Sequence, residues 1–148
     1  MLHASFKRTL QGMMGLVILS LAIFSFRPAG VDKFEVYLND KLLLKEYAIK
    51  DISLKSLQLE KAKPSDQLVI YYTHCRGKGA GTGRTISVKN AKGQVLKEWK
   101  FADSSGGKTA MTIAVKELQQ LEKNNDGSNL TMYYASSELP GGQLLAAL

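Results

Sequence analysis

The sequence predicts an all-β domain, a β-sandwich of about eight strands arranged as two pseudo-repeated four-strand halves, with one short helix near residues 116–123. Three observations carry this. Short runs of branched and aromatic residues recur between turn residues at close intervals, as in sandwiches and open barrels. Four segments of the first half reappear in the same order in the second. Two four-strand units would each leave one apolar face uncovered, and packing them together buries both.

The front end is set apart from this pattern. Lys7 and Arg8 precede an uncharged stretch, Met13 to Phe26 (MMGLVILSLAIFSF), which is the order a secretory signal requires. A spanning helix needs about 20 apolar residues, and this run is shorter. The small residues Pro28, Ala29 and Gly30 offer a cleavage site, but Arg27 stands three before a cut after Ala29, where a small residue is preferred. Residues 1–30 therefore read as a signal peptide or an N-terminal membrane anchor, and residues 31–148 as one sandwich domain. No cysteine ends the apolar run, so the bacterial lipoprotein route has no support. The expected location is periplasmic or secreted, with tethering as the alternative to release.

Within the domain the pseudo-repeats cover about residues 33–76 and 84–140. Leu44-Lys45-Glu46-Tyr47 is matched by Leu96-Lys97-Glu98-Trp99 at an offset of 52. Ile52-Ser53-Leu54-Lys55 is matched by Ile113-Ala114-Val115-Lys116 at an offset of 61. Leu59-Glu60-Lys61 matches Leu121-Glu122-Lys123, and Leu68-Val69-Ile70-Tyr71-Tyr72 matches Leu130-Thr131-Met132-Tyr133-Tyr134, both at 62. An extra loop around Asp103, Ser104 and Lys108 absorbs the jump in offset.

Each half reads alike. Phe34, Val36 and Leu38 alternate with polar residues, Asn39-Asp40 supplies a turn, and residues 42–49 return, a hairpin signal. Residues 85–89, the turn Asn90-Ala91-Lys92-Gly93 and residues 95–101 repeat it. A third strand is expected around residues 52–55 and again around 111–115. Leu118 and Leu121, three apart, indicate a short helix over residues 116–123. The fourth strand, residues 67–74 or 130–135, is dense in tyrosine and branched residues, as half-buried strands are.

Composition bounds the function. The chain has 20 basic and 13 acidic residues, formal net charge +7. Lys7, Arg8 and Arg27 lie in the front segment with no acid beside them, leaving 17 basic residues and a net +4 for the domain. These lysines are scattered rather than clustered, which reads as a solvated surface and gives no expectation of nucleic-acid binding. Cys75 is the sole cysteine, so the core stands without an internal disulfide, and only an intermolecular one is open to it.

The segment most like a site is Thr73-His74-Cys75-Arg76 running into residues 77–84, with four glycines in seven residues (Gly77, Gly79, Gly81, Gly83). The Walker pattern needs four residues between its first glycine and Gly-Lys-Ser/Thr and then a helix. Gly79 and Gly83 enclose three, and a strand follows, so a nucleotide loop is excluded. Arg76, Lys78 and Arg84 around exposed amides can hold an anionic ligand or glycan, against the plainer reading of a flexible connection. His74 and Cys75 can ligate a soft metal, with Met111 or Met132 as further ligands, only if the strand has ended, because adjacent strand residues face opposite sides. No nucleophile elbow and no singled-out carboxylate pair appear, so no catalytic residue, metal or cofactor is assigned. Tyr71, Tyr72, Tyr133, Tyr134 and Trp99 can stack on sugars or bases, with one tyrosine of each pair expected to face outward. The expected function is a non-enzymatic binding or scaffolding module of the cell envelope for an envelope protein or anionic ligand. The alternatives are a periplasmic metal or redox accessory protein using His74 and Cys75, and a glycan binder using residues 77–83. The membrane enters this reading only through the N-terminal segment.

Overall fold

The computed structural model describes residues 30–48, 54–75, 81–104, 106, 108–125 and 128–148. The apolar front segment, Ile52, Ser53, Arg76 and Lys78 lie outside them. Eight strands form two four-stranded antiparallel sheets that share one core.

The first hairpin joins β1 (Lys33–Leu38) to β2 (Lys41–Tyr47) through Asn39 and Asp40. Asn39 sits at φ 52, a left-handed conformation that asparagine tolerates and that matches the twist of a tight hairpin. β3 (Gln67–Thr73) returns on the other side of β1, pairing Phe34 with Tyr72 and Leu38 with Leu68. The second hairpin joins β4 (Thr85–Lys89) to β5 (Val95–Lys100). Its turn is held by the Asn90 side-chain oxygen, which accepts from the Lys92 and Gln94 amides at 3.0 Å each. β6 (Met111–Ala114) crosses to the first sheet, and the helix α1 (Val115–Asn124) follows directly. β7 (Thr131–Ser136) pairs with β4, and β8 (Leu139–Ala147) closes the second sheet. The orders are β2-β1-β3-β6 and β5-β4-β7-β8.

Alternation decides which side chains enter the core. Phe34, Val36, Leu68, Ile70, Tyr72, Met111 and Ile113 from the first sheet meet Ile86, Val88, Met132, Tyr134, Leu145 and Ala146 from the second, all buried. α1 buries Val115 and Leu118 at one side of the sandwich. Gln119 on α1 donates to the carbonyls of Leu59 and Ala62, at 3.2 and 2.9 Å, and so fastens the 3-10 turn Leu59–Lys61.

The sandwich, the strand number and the short helix agree with the sequence reading, and a hairpin plus a returning strand occurs in both sheets. Two elements differ. The expected third strand of the first half is not formed at Leu54 and Lys55; Ser56 instead makes a single parallel bridge to Ala147 on β8. The eighth strand is β8, which carries Pro140-Gly141-Gly142 and lies where the sequence reading placed no strand. At the sheet edge the missing amide of proline breaks no ladder, and Gly142, at φ 71, takes up the bulge opposite Tyr134 and Ser136. The sheets therefore do not coincide with the two halves of the chain, since β6 of the second half completes the sheet of the first.

Candidate functional site

Two constellations emerge, one inside the sandwich at the end of β3 and one outside on the first sheet.

The interior one begins at Asp32, just before β1. Its Oδ1 accepts the Cys75 amide at 2.8 Å, and its Oδ2 accepts from His74 Nδ1 at 3.1 Å and from the Tyr72 hydroxyl at 3.3 Å. In the neutral tautomer that carries its proton on Nδ1, the opposite ring nitrogen is an acceptor. There the Tyr134 hydroxyl lies at 3.0 Å and Ser136 Oγ at 3.3 Å. The His74 side chain is 1% exposed. Burial raises the pKa of the Tyr72 hydroxyl, reinforced by the Asp32 charge beside it, and burial also raises that of Tyr134. Both phenols thus remain protonated donors.

Asp32, His74 and Ser136 stand in the contact order of a nucleophilic triad. Ser136 is 5% exposed, however, and Tyr134 is the nearer partner of the imidazole. No buried side-chain nitrogen or oxygen among the described residues lacks a partner.

The residues singled out in the sequence separate here. His74 turns inward, whereas Cys75 donates its thiol to the Val31 carbonyl at 2.8 Å beside Gly30. Arg84 is 2% exposed, and its guanidinium is committed to the carbonyls of Ala102 at 2.8 Å and Thr109 at 2.9 Å. It clasps the segment leading to β6 and does not stand open to an anion. Arg76 and Lys78 lie outside the described residues. Met111 and Met132 are fully buried on separate sheets. Among the described residues no group of three or more His, Cys, Asp or Glu is placed to hold a metal ion. The exit of the glycine-rich segment is pinned as well. Glu138 accepts the Thr82 amide and hydroxyl, each at 2.9 Å, and the backbone hydrogen bonds hold its carboxyl down to about 2.

The exterior constellation follows from the same alternation that buries Tyr72. Glu35 and Tyr37 on β1 face out, as do Val69 and Tyr71 on β3, with Glu35 opposite Tyr71 and Tyr37 opposite Val69. The rings of Tyr37 and Tyr71 meet edge to face, 5.7 Å between centroids at 89°. Glu35 is 4% exposed although it lies on an outer face. Its carboxylate accepts from Lys108 and from the Tyr37 hydroxyl at 3.3 Å, and Lys45 stands at 3.3 Å. The Lys108 hydrogen bond holds its pKa below the ordinary glutamate value, against the opposing effect of burial. Lys108 also lies over the Tyr71 ring, 5.7 Å from its centroid. Tyr37, Asn39, Asp40, Val69, Tyr71 and Lys108 line a concavity of about 390 Å³.

That one tyrosine of each pair faces out was legible in the strand alternation; it is Tyr71 on the first sheet and Tyr133 on the second, the latter under Lys89, 4.4 Å from the ring centroid. Glu35 and Lys108 were not legible, being 73 residues apart with no shared motif.

The fold and these two constellations define a two-sheet all-β sandwich with a buried polar network and an aromatic outer face. Compared with known proteins, the chain matches no protein-family model, no curated protein and no solved structure.

Proposed function

We propose that the chain is an exported, non-enzymatic binding module of the cell envelope, and that it meets its ligand through the outer face of the first sheet. The Lys7-Arg8 and Met13 to Phe26 pattern supports export. No described helix is long and apolar enough to cross a membrane, and the apolar front segment lies outside the described residues.

The observation that carries the choice of surface is the Tyr37–Tyr71 corner over a buried, doubly lysine-paired Glu35. Burying a carboxylate on a sheet face costs desolvation, and a merely solvated face has no use for it. Here it fixes Lys108 and Tyr37 at one concavity, which is the pre-organisation a binding surface needs. The residue 77–83 segment supports the reading less well, because Arg84 is occupied by carbonyls.

Co-sedimentation of the purified domain with insoluble envelope material tests this. Replacing Tyr71 by Ala abolishes pelleting on this reading, while Tyr133→Ala, on the opposite outer face, leaves it intact. Equal pelleting of both variants and the parent would sink the assignment of the surface.

A further inference from the structure

The ligand class can be argued further, on the footing of that surface. We infer that the Tyr37–Tyr71 concavity takes a neutral saccharide, one pyranose unit seated in the corner between the two rings.

The charges balance first. The lining carries one acid, Asp40, and one base, Lys108, and the Lys108 ammonium, like that of Lys45 beside it, is already engaged with the Glu35 carboxylate. An anionic ligand has to compete with Glu35 for those lysines. A cationic ligand meets Lys108 at the rim. A neutral ligand disturbs neither pair.

The shape follows. Flat aromatic ligands such as nucleobases are best held between parallel plates or on an open ring, whereas these rings stand at 89°. A pyranose presents an apolar C–H face and, at right angles to it, an edge of hydroxyls. One tyrosine ring can take the face while the hydroxyl edge meets the polar rim of Asp40 and Lys108. The volume of about 390 Å³ lies at the low end for small-ligand sites, enough for a short sugar segment and too little for a folded chain. Val69 in the lining adds apolar surface without a further polar demand.

Tyr71 points away from the core, so truncating it removes the platform without opening the interior, unlike Tyr72, which is 4% exposed.

The experiment is a glycan array carrying neutral and acidic glycans, probed with the multimerised domain, followed by amide chemical-shift titration with the best soluble oligosaccharide. Neutral glycans are retained, the shifts cluster at residues 37–40, 69–71 and 108, and binding changes little between 50 and 500 mM salt. Tyr71→Ala weakens it about tenfold or more, Tyr71→Trp keeps it, and Tyr133→Ala leaves it unchanged. Circular dichroism confirms that each variant is folded, and Tyr37→Ala stands in should Tyr71→Ala not fold. Retention of acidic glycans only, with strong salt sensitivity, overturns the inference, and so does an array with no neutral ligand. If envelope pelleting still depends on Tyr71 in that case, the surface is right and the ligand class wrong. If pelleting is also indifferent to Tyr71, the surface assignment has failed with it.

Discussion

Tyr72 on β3 and Tyr134 on β7 lie ring over ring across the interior, 4.0 Å between centroids and 15° from parallel. The two residues are the last members of the matched segments Leu68 to Tyr72 and Leu130 to Tyr134, so corresponding positions of the two sequence halves meet each other. Their hydroxyls then part: Tyr72 donates to Asp32, and Tyr134 lies against His74. A stacked pair at the centre, with two polar ends tied to one network, couples the closing of the sandwich to its packing.

Removing only the Tyr134 hydroxyl separates these contributions. Tyr134→Phe keeps the stack and deprives His74 Nε2 of its nearer partner, so it destabilises by about 1–2 kcal/mol. Tyr134→Ala also opens a cavity and costs about 3–5 kcal/mol. Urea unfolding followed by circular dichroism reads both. A phenylalanine variant as stable as the parent would show that the hydroxyl contributes nothing net.

Asp32 and Asp66 each accept hydrogen bonds from a side chain and a backbone amide, but in different surroundings. Asp32 takes Tyr72, His74 and the Cys75 amide with its side chain 12% exposed, whereas Asp66 takes Asn39 and the Lys63 amide at the surface. Asp32→Ala strands buried donors and costs about 3 kcal/mol. Asp66→Ala costs less than about 1 kcal/mol, because water replaces what is lost. Thermal denaturation of the two variants side by side checks the ordering; equal losses would contradict the role given to burial.

Acid stability should carry the signature of Glu138. Its carboxyl is held at about 2 in the folded chain, chiefly by the Thr82 amide, against an ordinary value of 4.5. The unfolded chain therefore binds more protons between these values, and stability rises with pH across that window. The contribution is present above about 4.5 and is lost as the pH falls toward 2. Glu138→Gln removes this part of the slope, so the variant is the less stable of the two at pH 7 and the two proteins converge as the pH falls toward 2. A carboxyl resonance of Glu138 that titrates at its ordinary value would refute the clasp on Thr82.

Gly81 and Gly93 both have positive φ, +98 and +77, yet differ in what a methyl group would meet. At Gly81 an added Cβ comes within 3.0 Å of the Tyr134 hydroxyl and of Arg84 Cδ, whereas at Gly93 nothing lies within 4 Å. Gly93→Ala bears the backbone strain alone, about 1 kcal/mol. Gly81→Ala adds displacement of the buried network and costs about 2–3 kcal/mol. Chemical denaturation distinguishes them, and identical losses would mean that the loop exit yields freely.

Periodicity and turn chemistry made most of the fold readable. Alternation of apolar residues names the inner faces of β1, β3, β4 and β7, and the spacing of Leu118 and Leu121 marks α1, because these signals are local and depend on the pitch of each element. The first-half strand expected before Ser56 and the missed β8 show where that stops. Leu54 and Lys55 have suitable residues but meet β8 only at its last residue, where the Lys55 carbonyl accepts the Ala147 amide at 2.9 Å, and Pro140-Gly141-Gly142 has unsuitable residues at an edge that tolerates them.

The candidate site divides the same way. The chain by itself determined that one tyrosine of each pair, Tyr71-Tyr72 and Tyr133-Tyr134, faces out, since neighbouring strand residues take opposite sides, while which one does, and the parting of His74 from Cys75 beyond the end of β3, came from the packing. Only the tertiary structure decided that Arg84 is spent on the carbonyls of Ala102 and Thr109, that His74 bridges Asp32 to Tyr134, and that Lys108 reaches Glu35. Those pairings join residues 18 to 73 positions apart, and no local pattern encodes them. The Arg84–Thr109 and Lys108–Glu35 contacts arise when β6 crosses into the sheet of the first half, and the His74 bridge when the two sheets face each other, a consequence of burying two apolar faces together rather than of any motif along the chain.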